Sequence, residues 1–570
     1  MRKHTLTLTL AALVAVSVQA AIYTWTGSGG NMDWFNVNNW YGPVQMVPDV
    51  HEEAQINAGS EVAPVVYASV VTQCVNRIVL GNAAGQSGYL WLQNGVITNS
   101  PTGTTAEFVV GNGGKGWFRM SGGELRVPRD IVLGKTATAG GTLLMEGGEA
   151  RPSWGLVAGD AGTGKYVQTG GLFYITYNGA FVGKSAGGFG EMFVSNGVFQ
   201  VGGTMNMFIG DNGTGIVLCE SGVVRVARQT HMARGAGSEA VLWISETASY
   251  TNDWGLWVGG LGKAELYAEG FVRCGNGDEG LTIGDQEGSR GYAEFGTNTV
   301  NLGTGGSIRV GKGGYGEMVM RGTRVLSGGT AGRLRVREEE GGFGVLRGWG
   351  KFEAVQDFLL NNGLVIADGA GEDRDLALNS FIGAQGGDAN KMRKTVPNPP
   401  EGTNGWYAVN GGRLLMPRVM MPNSDEAQSL NWGEPQDEPV IDLVNSFRMT
   451  AQSVTGGVNS RFDFNLLAND RADVPPAPKG MKLIGVWEGG FYRSFGALDV
   501  EIRYDHVAAR SNVPQFLRWD AVAGRWEKYG TEALSGCRVK AVGLPAQIDG
   551  SRLMFALCVP EKDGTLLIVK

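Results

Sequence analysis

"GWFRMSGGELRVPRDIVLG", Gly116 to Gly134, holds three short runs separated by glycine or proline, and within the first two apolar and polar residues alternate. Phe118 and Met120 fall on one side of the first run and Trp117 and Arg119 on the other; in the second, Leu125 and Val127 oppose Glu124 and Arg126. A period of two in runs this short is the pattern of half-buried strands, because successive side chains of a strand point to opposite faces. The layout recurs along the chain. An apolar stretch closed by glycine returns at Gly81, Gly111, Gly134, Gly159, Gly183, Gly210, Gly235, Gly259, Gly284 and Gly311, with spacings of 23 to 27 residues after the first interval of 30. The inward positions return with it: Leu143 and Met145, Met192 and Val194, Val217 and Cys219, Ala264 and Leu266, Met318 and Met320.

A unit of about 25 residues with three strands buries its apolar side only by stacking on its neighbours, which is how repeat proteins are stabilised. The expected fold class is all-β: a right-handed parallel β-helix of about ten coils, the hand following the usual crossover preference. At about 4.8 Å per coil the rod is expected to be roughly 45 to 50 Å long. Composition agrees. Glycine supplies 93 of the 570 residues, more than twice the usual share of about 7%, without a collagen triplet and alongside 42% hydrophobic residues.

The stretch "VAGDAGTGKY" (Val157–Tyr166) fits seven positions of a phosphate-binding loop, but Tyr166 stands where a hydroxyl for Mg²⁺ is needed. Aligned with "GDNGTGIVLCESG" and "GNGGKGWFRMSGG" it is a coil corner followed by a strand, whereas a phosphate loop requires a helix N-terminus. No nucleotide is expected, and no cofactor or metal. The net charge of −7 and the lack of a basic run argue against nucleic acid. Residues 1–20 read as a signal peptide, with Arg2, Lys3 and His4, an apolar run from Leu6 to Val18 and small residues at Val18 and Ala20. Export to the cell surface or the extracellular space is expected, with the periplasm as a further destination, and no transmembrane segment is expected. Residues 21–75 form an aromatic cap, 76–370 the repeats, 371–404 a linker, and 405–570 a C-terminal antiparallel, sandwich-like β domain. Of the five cysteines, Cys537 and Cys558 form a candidate pair, with buried free thiols as the alternative.

The opening "YTWTGSGGNMDWFNVNNWYGPVQMVPDVHEEAQINAG", with Trp25, Trp34, Asn39-Trp40 and Pro48-Asp49, resembles the start of secreted bacterial β-helix proteins of the autotransporter-like and PEP-CTERM-associated kind. The repeats are similar to those that follow it there. The resemblance covers residues 21 to about 370 and implies surface display or secretion, with an adhesive, matrix or glycan-associated role.

Two outward columns are candidate binding positions. Second strands present Arg126, Arg151, Tyr174, Gln200, Arg225 and Arg273, which suit an acidic polysaccharide if they are more than a solvated face. Third strands present Val132, Val157, Phe181, Phe208, Ala233 and Trp257, an apolar stripe. Packing of the C-terminal domain or of a partner subunit is one explanation for it, and sugar stacking on Phe181, Phe208 and Trp257 the other; polysaccharide and other surface proteins are the expected partners. The alternative to a structural or adhesin-like rod is a polysaccharide lyase or glycoside hydrolase on the same scaffold. Asp160 and Asp211 follow closing glycines two coils apart, about 10 Å, which exceeds the spacing of a catalytic carboxylate pair. His51, His231 and His506 lie in three separate regions, which supports neither a metal cluster nor a Ser-His-Asp set. No catalytic residue is assigned.

Overall fold

The computed structural model describes residues 20–561 apart from 100–105, 276–279, 327–332, 379–405, 416–418, 422–427, 433–446, 452–459, 492–496, 545–551 and a few shorter stretches. The signal-peptide reading and most of the linker fall outside the described residues. Among those described, the only helical element is a single 3-10 turn at Val37–Asn39, and the rest of the regular structure is β.

Strands of successive coils pair in parallel, residue for residue. Lys115–Met120 lies between Ser87–Leu92 and Gly140–Met145, with Phe118 opposite Leu90 and Leu143. Second and third strands stack in the same way: Leu125 faces Ala150, and Ile131 faces Phe108 and Leu156. The result is a parallel β-solenoid of about twelve turns. The alternating residues of each run form inward columns. Phe118, Met120, Leu125 and Val127 are at most 1% exposed, so the apolar faces that one coil cannot bury are buried by its neighbours.

The closing glycines have a stereochemical reason. Gly111, Gly134, Gly159, Gly183 and Gly210 all have positive φ, from 65° to 77°, and a Cβ on Gly159 would lie 2.2 Å from the Phe189 carbonyl oxygen of the next coil. One expected corner is misplaced in the sequence. Positive φ falls on Ala233 (52°), not on Gly235, and the strand Gln229–Met232 sets His231 opposite Phe208 and Trp257. Ala233 is therefore the corner, fully buried, and His231, not the expected Ala233, stands in the outward third-strand column. Arg337, with φ 59°, closes a later coil in the same manner. A count keyed to glycine misses such a coil, which is one reason for ten expected coils against about twelve.

The parallel register extends into both flanking segments. Ile22–Trp25 pairs with Glu53–Ile56, which pairs with Arg77–Leu80, while Trp40–Tyr41 runs antiparallel to the first of these and ends that sheet. Trp25, Trp34 and Trp40 meet edge to face, with centroids 5.2 and 4.8 Å apart. Asn39, fully buried, donates from Nδ2 to the Asn31 and Asp33 carbonyls and accepts from the Gly29 amide. That geometry accounts for the Trp, Trp and Asn-Trp spacing of the opening segment.

At the other end Trp406–Val409 and Arg413–Leu415 add parallel strands to Leu364–Ala367 and Leu376–Ala377. Ser460–Leu467 then pairs antiparallel with Arg413–Leu415 and begins one antiparallel sheet with Met481–Phe491, Arg552–Pro560 and Gln515–Asp520. A second antiparallel sheet holds Gln428–Trp432, Phe447–Ala451, Leu498–Arg503, Arg538–Leu544 and Thr531–Leu534. Trp487, Phe516 and Phe555 of the first share a core with Val500, Ile502 and Val539 of the second, the packing of a sandwich.

Candidate binding surface

The second-strand column forms as a continuous line. Arg126 lies opposite Arg151, Tyr174 opposite Gln200 and Gln200 opposite Arg225. Thr251, absent from the expected set, stands between Arg225 and Arg273. Its charges are mostly compensated. Arg126 donates twice to Glu124, each bond 2.6 Å, and this guanidinium holds the Glu124 carboxyl below its ordinary range. Arg151 pairs with Glu149 and sits 5.6 Å from the centroid of Tyr174. Arg273 is 3.9 Å from Asp253. Arg225 is exposed and makes no ion pair among the described residues.

The corner that follows the second strand carries residues the repeat pattern did not single out. Arg129 lies 3.6 Å from the ring centroid of Trp154 on the next coil, and Arg228 lies 5.1 Å from that of Trp254. Trp154 and Trp254 are 42% and 47% exposed, and Tyr177 between them is 66% exposed. Neither Arg129 nor Arg228 has an ion pair among the described residues; burial pushes the neighbouring Asp130 carboxyl up, while the charges of Lys184 and Arg129 draw it the other way. Four coils separate the two pairs, about 19 Å at the parallel strand spacing. A signal for them was present: Arg or an aromatic three residues after the outward second-strand position, as in Arg126/Arg129, Arg151/Trp154 and Tyr174/Tyr177.

The third-strand stripe is a ring ladder. Phe181 stacks on Phe208 at 4.8 Å and 15°, Phe208 on His231 at 5.4 Å and 11°, and His231 on Trp257 at 4.6 Å and 10°. Val132 and Val157 continue it and are 3% exposed. The rings spend their faces on one another, and a sugar stacking on them would need those faces; edges are what the ladder offers. Burial, with Arg234 and Arg228 nearby and Asp285 opposing them, pulls the His231 imidazole down to about 4, so it stacks as a neutral ring near neutral pH.

Beside the ladder, the residue after five successive corners alternates in sign, Lys135, Asp160, Lys184, Asp211 and Arg234; after the uncharged Gly260, Asp285 and Lys312 follow. Asp160 is 3.6 Å from Lys184, Asp211 is 2.5 Å from Arg234 and Asp285 is 2.9 Å from Lys312. The Gly-Asp carboxylates thus face the cations of adjacent coils. Lys165, from the loop-like stretch, points outward over Phe193 at 4.8 Å, while Tyr166 is fully buried and donates to Gln168 at 3.0 Å. The cysteines are all free thiols, so Cys537 and Cys558 are not bridged; Cys219, Cys274 and Cys558 are buried, as the alternative had it, whereas Cys74 and Cys537 are half-buried. No helix of the described residues is long and apolar enough to cross a membrane.

No protein-family model, no curated protein and no solved structure matches the chain.

Proposed function

We propose that the chain is an exported surface or extracellular rod that binds acidic polysaccharide along the corner between its second and third strands. The observation that carries this reading is the repeated pairing of an exposed indole with an arginine that makes no ion pair among the described residues, Arg129 with Trp154 and Arg228 with Trp254. Arginine meets uronate or sulfate groups in a fork geometry, and the open face of a tryptophan suits the apolar face of a sugar ring. Arg225 adds a third cation. Two such sites on a rigid scaffold engage one chain together, so weak contacts sum. Export is supported by the N-terminal Arg2, Lys3 and His4 and the apolar run after them, and kinship with autotransporter-like and PEP-CTERM-associated β-helix proteins by the aromatic opening.

The test is a binding screen of the purified protein against acidic and neutral polysaccharides, with product analysis for depolymerisation. Retention on acidic chains that is lost in R129A/R228A supports the reading. Binding that ignores these arginines, or turnover of the polysaccharide, overturns it.

A further inference from the structure

The solvent side of the first-strand sheet holds a column that the repeat pattern did not mark as special. At the fifth position of successive first strands stand Arg119, Leu144, Val167, Phe193, Leu218, Trp243, Tyr267 and Glu294, in register from coil to coil. Six consecutive apolar or aromatic residues are flanked by a cation at one end and a carboxylate at the other. Ile216 and Val241 widen the centre on the neighbouring outward position, and Trp243 is 43% exposed. A contiguous apolar patch on a flat sheet face of a soluble rod marks a contact surface.

The order of this column identifies the occupant. A two-fold axis along the strand direction, passing between the coils of Phe193 and Leu218, would set two rods face to face and antiparallel. It places Phe193 against Leu218, Val167 against Trp243, Leu144 against Tyr267 and Arg119 against Glu294, each the residue of one copy meeting that of the other. The fifth-position column is complementary to its own reverse, apolar against apolar and positive against negative. On the neighbouring outward position the same axis sets Ile216 against Glu191 and Val241 against Lys165, and Lys165 and Glu191 form an ion pair at 3.6 Å within each copy. Arg119 and Glu294 each have an intrachain partner, Glu146 at 2.8 Å and Arg321, so each end would join a charge network that is already organised. Eight coils at about 4.8 Å and six residues at about 3.3 Å each give a face of roughly 700 Å² per copy. The total, about 1,400 Å², lies within the range of stable protein interfaces. We infer that the chain forms an antiparallel homodimer through this first-strand face. The inference is independent of the polysaccharide reading, which uses a different corner of the rod.

The experiment is light scattering coupled to size exclusion, with sedimentation across micromolar concentrations, on the full chain after removal of any leader. The expected result is a particle of twice the chain mass. Leu218→Glu and Trp243→Asp should each give a monomer with an unchanged circular dichroism spectrum, since both side chains face solvent and leave the inward columns intact. Glu294→Arg should weaken the dimer at least tenfold, and adding Arg119→Glu should recover a measurable part of that loss, because the swap re-forms the pair in the antiparallel register although Glu146 and Arg321 then lie beside like charges. A wild-type monomer at 100 µM, a dimer that survives both central substitutions, or a charge swap that fails to rescue would each overturn the inference.

Discussion

The imidazole of His231 lies 4.6 Å from the indole of Trp257, with the two planes 10° from parallel. Its other face meets Phe208, so a titratable group is built into a stack that favours its neutral form. Burial is the main cause of its low pKa of about 4, and Arg234 adds to it. In the unfolded chain the same group titrates near 6.5. The folded state therefore binds fewer protons between these values, and stability that is complete above about pH 6.5 is lost as pH falls toward 4. His231→Phe keeps the stack and removes the proton site. Urea unfolding at pH 7 and pH 4.5 should show the wild type losing on the order of 2 kcal/mol more than the variant across this window; equal losses would contradict the assignment.

Ala233 occupies a corner at φ 52° where the other coils mostly use glycine. An L-residue in that region costs about 1–2 kcal/mol, partly offset by the greater freedom of glycine in the unfolded chain. Ala233→Gly should stabilise the protein by roughly 0.5–1 kcal/mol, read as a rise in the urea midpoint. Gly159→Ala should do the reverse and more strongly, because its Cβ meets a carbonyl oxygen at 2.2 Å.

Gln168 is the polar hub of an otherwise apolar column. It accepts from the buried Tyr166 hydroxyl at 3.0 Å and donates to the Gly171 and Val198 carbonyls at 3.0 and 3.1 Å. Gln168→Leu should cost about 1–3 kcal/mol by leaving these groups without partners. Adding Tyr166→Phe should recover part of that loss, since the stranded hydroxyl is then gone, and a double-mutant cycle in urea measures the recovery.

Binding of an acidic polysaccharide through Arg129, Arg225 and Arg228 should weaken as salt rises, because exposed charges are screened beyond about 10 Å at 0.1 M. Trp154→Ala and Trp254→Ala should each lower affinity while leaving the salt dependence unchanged, since they remove stacking and no charge. Affinity measured against ionic strength separates the two contributions.

Much of the fold was legible because it rests on local rules. Alternation placed Phe118, Leu125 and Tyr166 inward, and positive φ demanded glycine at most corners. The coil of His231 was misread because Ala233 tolerates the corner that Gly235 was expected to take, and this moved one residue of the outward column. The arginine and tryptophan pairs were harder to see. Arg129 and Trp154 are 25 positions apart in the sequence, and only the stacking of coils brings them together. The first-strand column escaped notice for a similar reason: Leu144, Val167 and Phe193 each look like an isolated exposed residue until the register aligns them.

The alternating charges after the corners restrict how such a rod can change its length in evolution. Lys135, Asp160, Lys184, Asp211 and Arg234 follow one another coil by coil, so loss of one internal coil brings two like charges side by side, while loss of two restores the alternation. Duplication obeys the same parity. Over this segment the rod is a ruler whose graduations are favoured in pairs, and descendants of this chain should differ in length there by even numbers of turns.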